Sequence, residues 1–282
     1  ALSGTVTRYF NGQIDDLRAA NGVCRYPSGT TFTPPAAQLP SYSAVRLTTS
    51  YTTAGTNDAQ GVATDGTHVW YSNSTTLYKY TAAGALVTSR AVSGDNPTDK
   101  QQINGLHIKN GRLYCSAAKF SVGVGTSWVV EYHPDTLAYI QHWQIVGDWF
   151  SEGLAWYAGY WWVVFHATKV VARCDPNFNV QTTYNLDFTI TGSSGGYGSG
   201  QGYDGIAWVG RHLLVNVHDI YDQNYLDVYY WNGAGFRTIA RLQWPTTKAH
   251  QGLALDPSDN TILWFAERAP SGTDGFAKCS IT

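Results

Sequence analysis

The sequence predicts an all-β fold: a five-bladed β-propeller of four-stranded antiparallel blades, closed by an N-terminal strand and preceded by an irregular N-terminal arm. Three observations predict it. A polar residue followed by Gly, an aliphatic residue and a small or apolar one occurs five times. The copies are Gln60-Gly61-Val62-Ala63, Asn104-Gly105-Leu106-His107, Glu152-Gly153-Leu154-Ala155, Asp204-Gly205-Ile206-Ala207 and Gln251-Gly252-Leu253-Ala254, at steps of 44 to 52 residues. That is the period of a four-stranded propeller blade. A turn signal recurs between the first two strands of each repeat, at Asp65-Gly66, Asn110-Gly111, Ala158-Gly159, Gly210 and Asp259-Asn260, so turn chemistry and strand period agree. Finally, the last repeat stops after three strands, while a spare β-prone run stands ahead of the first.

Taken in order, residues 1–42 do not match the repeat. Gly4, Asn11-Gly12, Asn21-Gly22, Pro27, Pro34-Pro35 and Pro40 punctuate them too densely for long strands or helices, and they are read as an extended arm that either lies over the propeller or leads in from a neighbouring element, such as a larger assembly. Ser43 to Tyr51 resembles the last strand of each later repeat. Letting it complete the final blade removes two exposed sheet edges, so the propeller is expected to span residues 43–282. Blade 1 is expected at Gly61 to Thr64, Val69 to Ser72, Leu77 to Tyr80 and Leu86 to Val92. Blade 2 follows at Gly105 to Ile108, Leu113 to Ser116, Trp128 to Tyr132 and Tyr139 to Ile145. Blade 3 takes Gly153 to Trp156, Trp161 to Phe165, Val170 to Cys174 and Gln181 to Phe188. Blade 4 takes Gly205 to Trp208, Leu213 to Val217, Leu226 to Trp231 and Arg237 to Trp244. Blade 5 has Gly252 to Leu255, Ile262 to Phe265 and Phe276 to Cys279.

Composition agrees with this reading. Of 282 residues, 43% are hydrophobic and 13% charged, with 19 Tyr and 11 Trp, a profile that suits many short strands. The net charge of −2, with 18 Lys and Arg and no run of them, gives no footprint for nucleic acid. The longest apolar stretches, such as Trp161 to Phe165, are far too short for membrane insertion. No charged-then-apolar leader opens the chain, and its start at Ala1 with no Met anywhere fits prior removal of a leader or of an upstream part. Cys24, Cys115, Cys174 and Cys279 have neither zinc-site spacing nor disulfide-scaffold density. Ring closure would bring the arm near the last strand, so a bond between Cys24 and Cys279 is left open as a lock.

The innermost strand of each blade lines the channel, where crowded backbones favour Gly. The residue before each Gly then sits at the channel mouth, so Gln60, Asn104, Glu152, Asp204 and Gln251 converge as one ring of oxygen donors. Such a ring is either a polar plug satisfied by its own members and water or a hard-cation site of the kind Ca²⁺ takes. Loops joining second and third strands open on the same face and bring Lys119, His166, His218, Tyr221, Glu267 and Arg268. His166 and His218 stand in equivalent places beyond their second strands, opposite Glu152 and Asp204, and are the acid/base candidates. Trp149 and Tyr203, just before ring residues, offer faces on which a sugar could stack.

The phrases Ile103-Asn104-Gly105-Leu106, Ser151-Glu152-Gly153-Leu154-Ala155-Trp156 and Tyr203-Asp204-Gly205-Ile206-Ala207-Trp208 resemble the inner-strand motifs of the gluconolactonase-like and NHL-type propellers. Gluconolactonase-like members hold a divalent metal at the channel mouth with Glu, Asn and Asp. The resemblance implies Asn104, Glu152 and Asp204 as ligands. Three functions therefore compete. The first is an extracellular or virion-surface recognition module binding a glycan or another cell-surface ligand, without enzymatic activity. The others are a metal-dependent hydrolase or lyase with one active site at the channel mouth, and a structural assembly protein. The unequal loops favour one asymmetric pocket over equal sites in every blade.

Overall fold

The chain divides into Ala1–Ser41 and Tyr42–Thr282. A computed structural model describes residues 42, 44–52, 58–98, 100–119, 126–146, 150–166, 168, 170–186, 201–219, 225–244, 249–268 and 274–281. The expected arm and Cys24 lie outside the described residues.

Strand β1 (Val45–Thr52) comes first. Blade 1 then runs β2 (Ala59–Thr64), β3 (His68–Asn73), β4 (Thr76–Thr81) and β5 (Leu86–Ala91), and blade 2 runs β6 (Gln102–Lys109), β7 (Arg112–Lys119), β8 (Thr126–Tyr132) and β9 (Tyr139–Ile145). Blade 3 has β10 (Ser151–Tyr157), β11 (Tyr160–Phe165), β12 (Val170–Cys174) and β13 (Val180–Asn185). Blade 4 has β14 (Gln201–Val209), β15 (His212–Asp219), β16 (Tyr225–Trp231) and β17 (Phe236–Gln243). Blade 5 has β18 (Ala249–Asp256), β19 (Asp259–Arg268) and β20 (Gly275–Ile281). Its fourth strand is β1, which pairs antiparallel with β20 from Val45 opposite Ile281 to Thr52 opposite Gly275. The five antiparallel sheets thus form a propeller whose ring is closed by the N-terminal strand.

Burial follows position in the blade. Every described side chain of β2 is buried, whereas outer strand β5 alternates between exposed and half-buried. The apolar side chains collect in five clusters, one at each interface between neighbouring blades. Between blades 3 and 4, Trp162 meets Trp208 with ring centroids 5.1 Å apart and Trp231 at 5.2 Å. Between blades 5 and 1, Phe276 packs on Tyr80 at 5.1 Å. A buried ring of this kind stabilises by about 2–3 kcal/mol, and it does so only when the next blade is present. Stability therefore belongs to the closed ring.

The inner strands approach so closely that the repeated Gly becomes obligatory. A Cβ on Gly153 would lie 2.6 Å from the carbonyl oxygen of Asp204, and one on Gly252 would lie 2.7 Å from Cα of Gly61. Additions at Gly61, Gly105 and Gly205 would strike the next inner strand in the same way.

Two local details differ from the sequence reading. The blade 5 turn is Pro257-Ser258, not Asp259-Asn260, because Asp256 accepts the amide and hydroxyl of Ser258 and pins the chain two residues earlier. Finally, β19 spans Asp259–Arg268 and extends beyond the expected Ile262 to Phe265 at both ends. Cys115, Cys174 and Cys279 are buried free thiols.

Candidate functional site

Register shifts fall at the same place in all five inner strands. They lie between Ala59 and Gly61, Ile103 and Leu106, Ser151 and Gly153, Tyr203 and Ile206, and His250 and Leu253. A bulge puts an extra residue on one strand and re-aims its side chain. Here it acts on each polar residue that precedes Gly, and Gln60, Asn104, Glu152, Asp204 and Gln251 are all buried. Polar residues on second strands clamp this arrangement from the neighbouring blade. Ser72 Oγ donates to the Asn104 carbonyl (3.1 Å), Ser116 Oγ to that of Glu152 (2.7 Å) and Asn216 Nδ2 to that of Gln251 (3.0 Å). Nothing in the repeated phrase points to these clamps, but Ser72, Ser116 and Asn216, each the lone polar residue of an otherwise apolar expected second strand in blades 1, 2 and 4, were a usable signal.

Within the ring the donors separate into two groups. Asn104 spends its amide on structure: Nδ2 donates to the Ser151 carbonyl at 2.7 Å, and Oδ1 accepts from Gln102 Nε2 at 2.6 Å. Gln60 Nε2 donates to Asp58 Oδ1 at 2.9 Å. Glu152 and Asp204 instead converge with His166, one ligand atom from each lying within 4.8 Å of the others. His166 Nδ1 is 3.0 Å from Asp204 Oδ1 and 3.9 Å from Glu152 Oε1.

His166 is held by backbone on both sides. Its amide donates to the Phe150 carbonyl at 3.0 Å, and its own carbonyl accepts the Tyr203 amide at 3.1 Å. The imidazole fits because residue 202 is Gly: any Cβ there would overlap the ring. A residue outside the repeated phrase thus creates the space that admits His166.

Burial raises the Glu152 carboxyl well above the usual carboxylate range, and the charges of Asp204 and Asp58 push it the same way, against the opposing pull of Arg268. Asp58 lies at the entrance to β2 with φ 76°. It accepts from Ser74 Oγ and Gln60 Nε2, and Arg268 Nη2 sits 3.1 Å from its Oδ1. Sequence reasoning missed Asp58, whose signal was an acidic residue two places ahead of the first ring position.

The other expected residues are placed as follows. Glu267 is buried at the mouth end of β19, and Arg268 is 47% exposed beside Asp58. Lys119 ends β7 opposite Thr126. Tyr203 is fully buried between blades, its hydroxyl 3.1 Å from that of Tyr229. His218 pairs in backbone register with Gly202, and its side chain lies outside the described residues, as do Trp149 and Tyr221.

No known family and no curated protein matches the sequence. Solved structures do. Regucalcin from Agrobacterium tumefaciens, described as a calcium-binding protein, superposes with a TM-score of 0.50 at 11% identity, over 86% of this chain and 96% of that one. A glucose dehydrogenase gives 0.51 at 11% identity, over 85% and 99%. A bifunctional GH43-CE protein from Bacteroides eggerthii gives 0.54 at 12%, over 78% of this chain and 33% of that one. The likeness is one of fold. The resemblance read from the inner-strand motifs is thus met at the level of the propeller, among proteins that include enzymes.

Proposed function

We propose that the channel mouth holds one divalent cation on Glu152, Asp204 and His166, and that the protein is a single-site metal-dependent hydrolase or lyase. One observation carries this: two buried carboxylates and an imidazole each place a ligand atom within 4.8 Å of the others. Two like charges at this separation are unfavourable without a counter-charge, and a cation supplies it. The donor set fits, because carboxylate oxygens suit Ca²⁺ and Mn²⁺ while the imidazole adds affinity for Mn²⁺ and Zn²⁺. Asn104, with both amide atoms engaged, orients the carbonyl of Ser151 beside the site.

A cation bound here would supply Lewis acidity toward a substrate oxygen. The chain's own residues do the rest. Asp204 Oδ1 stands 3.0 Å from His166 Nδ1, so the two atoms are placed to share the cation. Glu152 would hold the cation as a carboxylate, the ion offsetting the burial and the neighbouring charges that raise its carboxyl in the metal-free protein. Asp58 and Arg268 form a charged rim that selects polar substrates. Glycan recognition has less support, since Tyr203 is committed to the core.

The test is to strip the protein with chelator and assay it against lactones, esters and unsaturated-uronide substrates after adding Mn²⁺, Ca²⁺ or Zn²⁺. Activity should return with one of these ions in wild type and stay absent in Asp204→Asn. Turnover indifferent to chelator, or intact in Asp204→Asn, rejects the proposal.

A further inference from the structure

The opposite end of the channel, where the inner strands finish, contains a second feature that the mouth chemistry does not use. A cavity of about 230 Å³ opens there among Ala155, Trp156, Trp208, Leu253, Ala254 and His107. An apolar cavity of about 150 Å³ accommodates benzene, so this one has room for an aromatic ring with a short substituent.

Its walls are preformed. Tyr157 stacks flat on Trp208, with centroids 4.0 Å apart and planes 8° from parallel. Lys109 Nζ sits 3.2 Å from the ring centroid of Trp156, and Trp161 meets the same indole edge-on at 5.2 Å. Four of the wall positions are small, Ala63, Ala155, Ala207 and Ala254, and these leave the space that the indoles frame.

The polar group of the cavity is His107. Its Nε2 accepts the backbone N–H of Trp156 at 3.3 Å, which places the ring proton on Nδ1. That Nδ1–H has no acceptor among the described residues. Thr64, the other polar side chain in the wall, is already committed, its hydroxyl donating to the His68 carbonyl and accepting the Gly66 amide. Burial and the nearby Lys109 push the imidazole down to about 4, so it stays neutral at physiological pH. The Lys109 ammonium makes a cationic occupant unfavourable.

We propose that this distal cavity is a small-molecule site for a neutral, flat aromatic compound carrying one hydrogen-bond acceptor, which takes the Nδ1–H of His107 while its ring lies against Trp156 and Trp208. The site is independent of the cation proposal, because none of its lining residues belongs to the mouth cluster. Either can fail without the other.

The experiment titrates the full chain with acetophenone and with ethylbenzene, similar in shape but without the carbonyl, by calorimetry and ligand-observed saturation-transfer NMR. Acetophenone should bind saturably and about fivefold tighter than ethylbenzene, the contribution of one hydrogen bond. His107→Phe should bring the two affinities together, and Ala254→Leu should reduce both by filling the space. Ala155→Val serves the same purpose if Ala254→Leu does not fold. Non-saturable binding, equal affinities in wild type, unchanged affinities in the filled variants, or a crystal structure showing only water in the cavity would overturn the proposal.

Discussion

Replacing Glu152 by Gln perturbs the mouth in two opposite directions. Two full charges no more than 4.8 Å apart in a medium of effective dielectric about 20 repel by at least about 3 kcal/mol. The neighbouring His166 and the raised Glu152 carboxyl reduce the amount recovered, so about 2 kcal/mol is expected on removing one charge. For a protein of this size, that corresponds to a rise of about 4–8 °C in the melting temperature of the metal-free form. The pH dependence has a definite sign. An acid whose folded pKa is raised holds more protons folded than unfolded, so metal-free wild type loses stability as pH climbs above the ordinary carboxylate range. Glu152→Gln removes that decline. Wild type at a cation concentration one hundred times Kd should gain about 2.7 kcal/mol, and the variant should lose most of this gain. Scanning calorimetry on chelated and Mn²⁺-loaded protein reads both effects. A Glu152→Gln protein that is less stable without metal, yet keeps the full metal-induced shift, would refute the reasoning.

The remaining predictions concern the frame. Gly153→Ala sets a Cβ 2.6 Å from the Asp204 carbonyl and 2.9 Å from the Ile206 amide, and should cost about 3 kcal/mol in urea unfolding because backbone, not a flexible side chain, must move. Arg241→Met leaves the fully buried Asp227 without its two 2.7 Å bonds, a loss of about 3–5 kcal/mol. Adding Asp227→Leu should recover much of it, as denaturant curves will show. His107 has its folded pKa lowered from 6.5 to about 4, so the unfolded chain takes up the extra proton between those values. Stability should therefore fall by about 3 kcal/mol as pH drops through that window, and His107→Phe should flatten this part of the profile.

Much of the fold was legible because one constraint repeats. Where five inner strands crowd together only Gly fits, and crowding at Gly61, Gly105, Gly153, Gly205 and Gly252 produces a period that survives divergence elsewhere. The spare first strand was legible for a similar reason, since an unpaired edge in blade 5 required a partner and β1 supplies it. The site was legible only in part. That Glu152 and Asp204 share one opening follows from the period. That Asn104 turns to Ser151, and Gln60 to Asp58, depends on hydrogen-bond partners contributed by loops and neighbouring blades. No pattern along the chain specifies such pairings. His166 was found from its place after a second strand, but the reason it reaches Asp204, the bare Cα of Gly202, becomes visible only when two blades stand side by side.

The central claim is that the bulged inner strands deliver Glu152, His166 and Asp204 to one cation. Anomalous diffraction from crystals grown with manganese tests this most directly. The account predicts one strong peak bounded by Glu152 Oε1, His166 Nδ1 and Asp204 Oδ1. A mouth containing only water, or a peak at Asp58 and Glu267 in place of this trio, would contradict it.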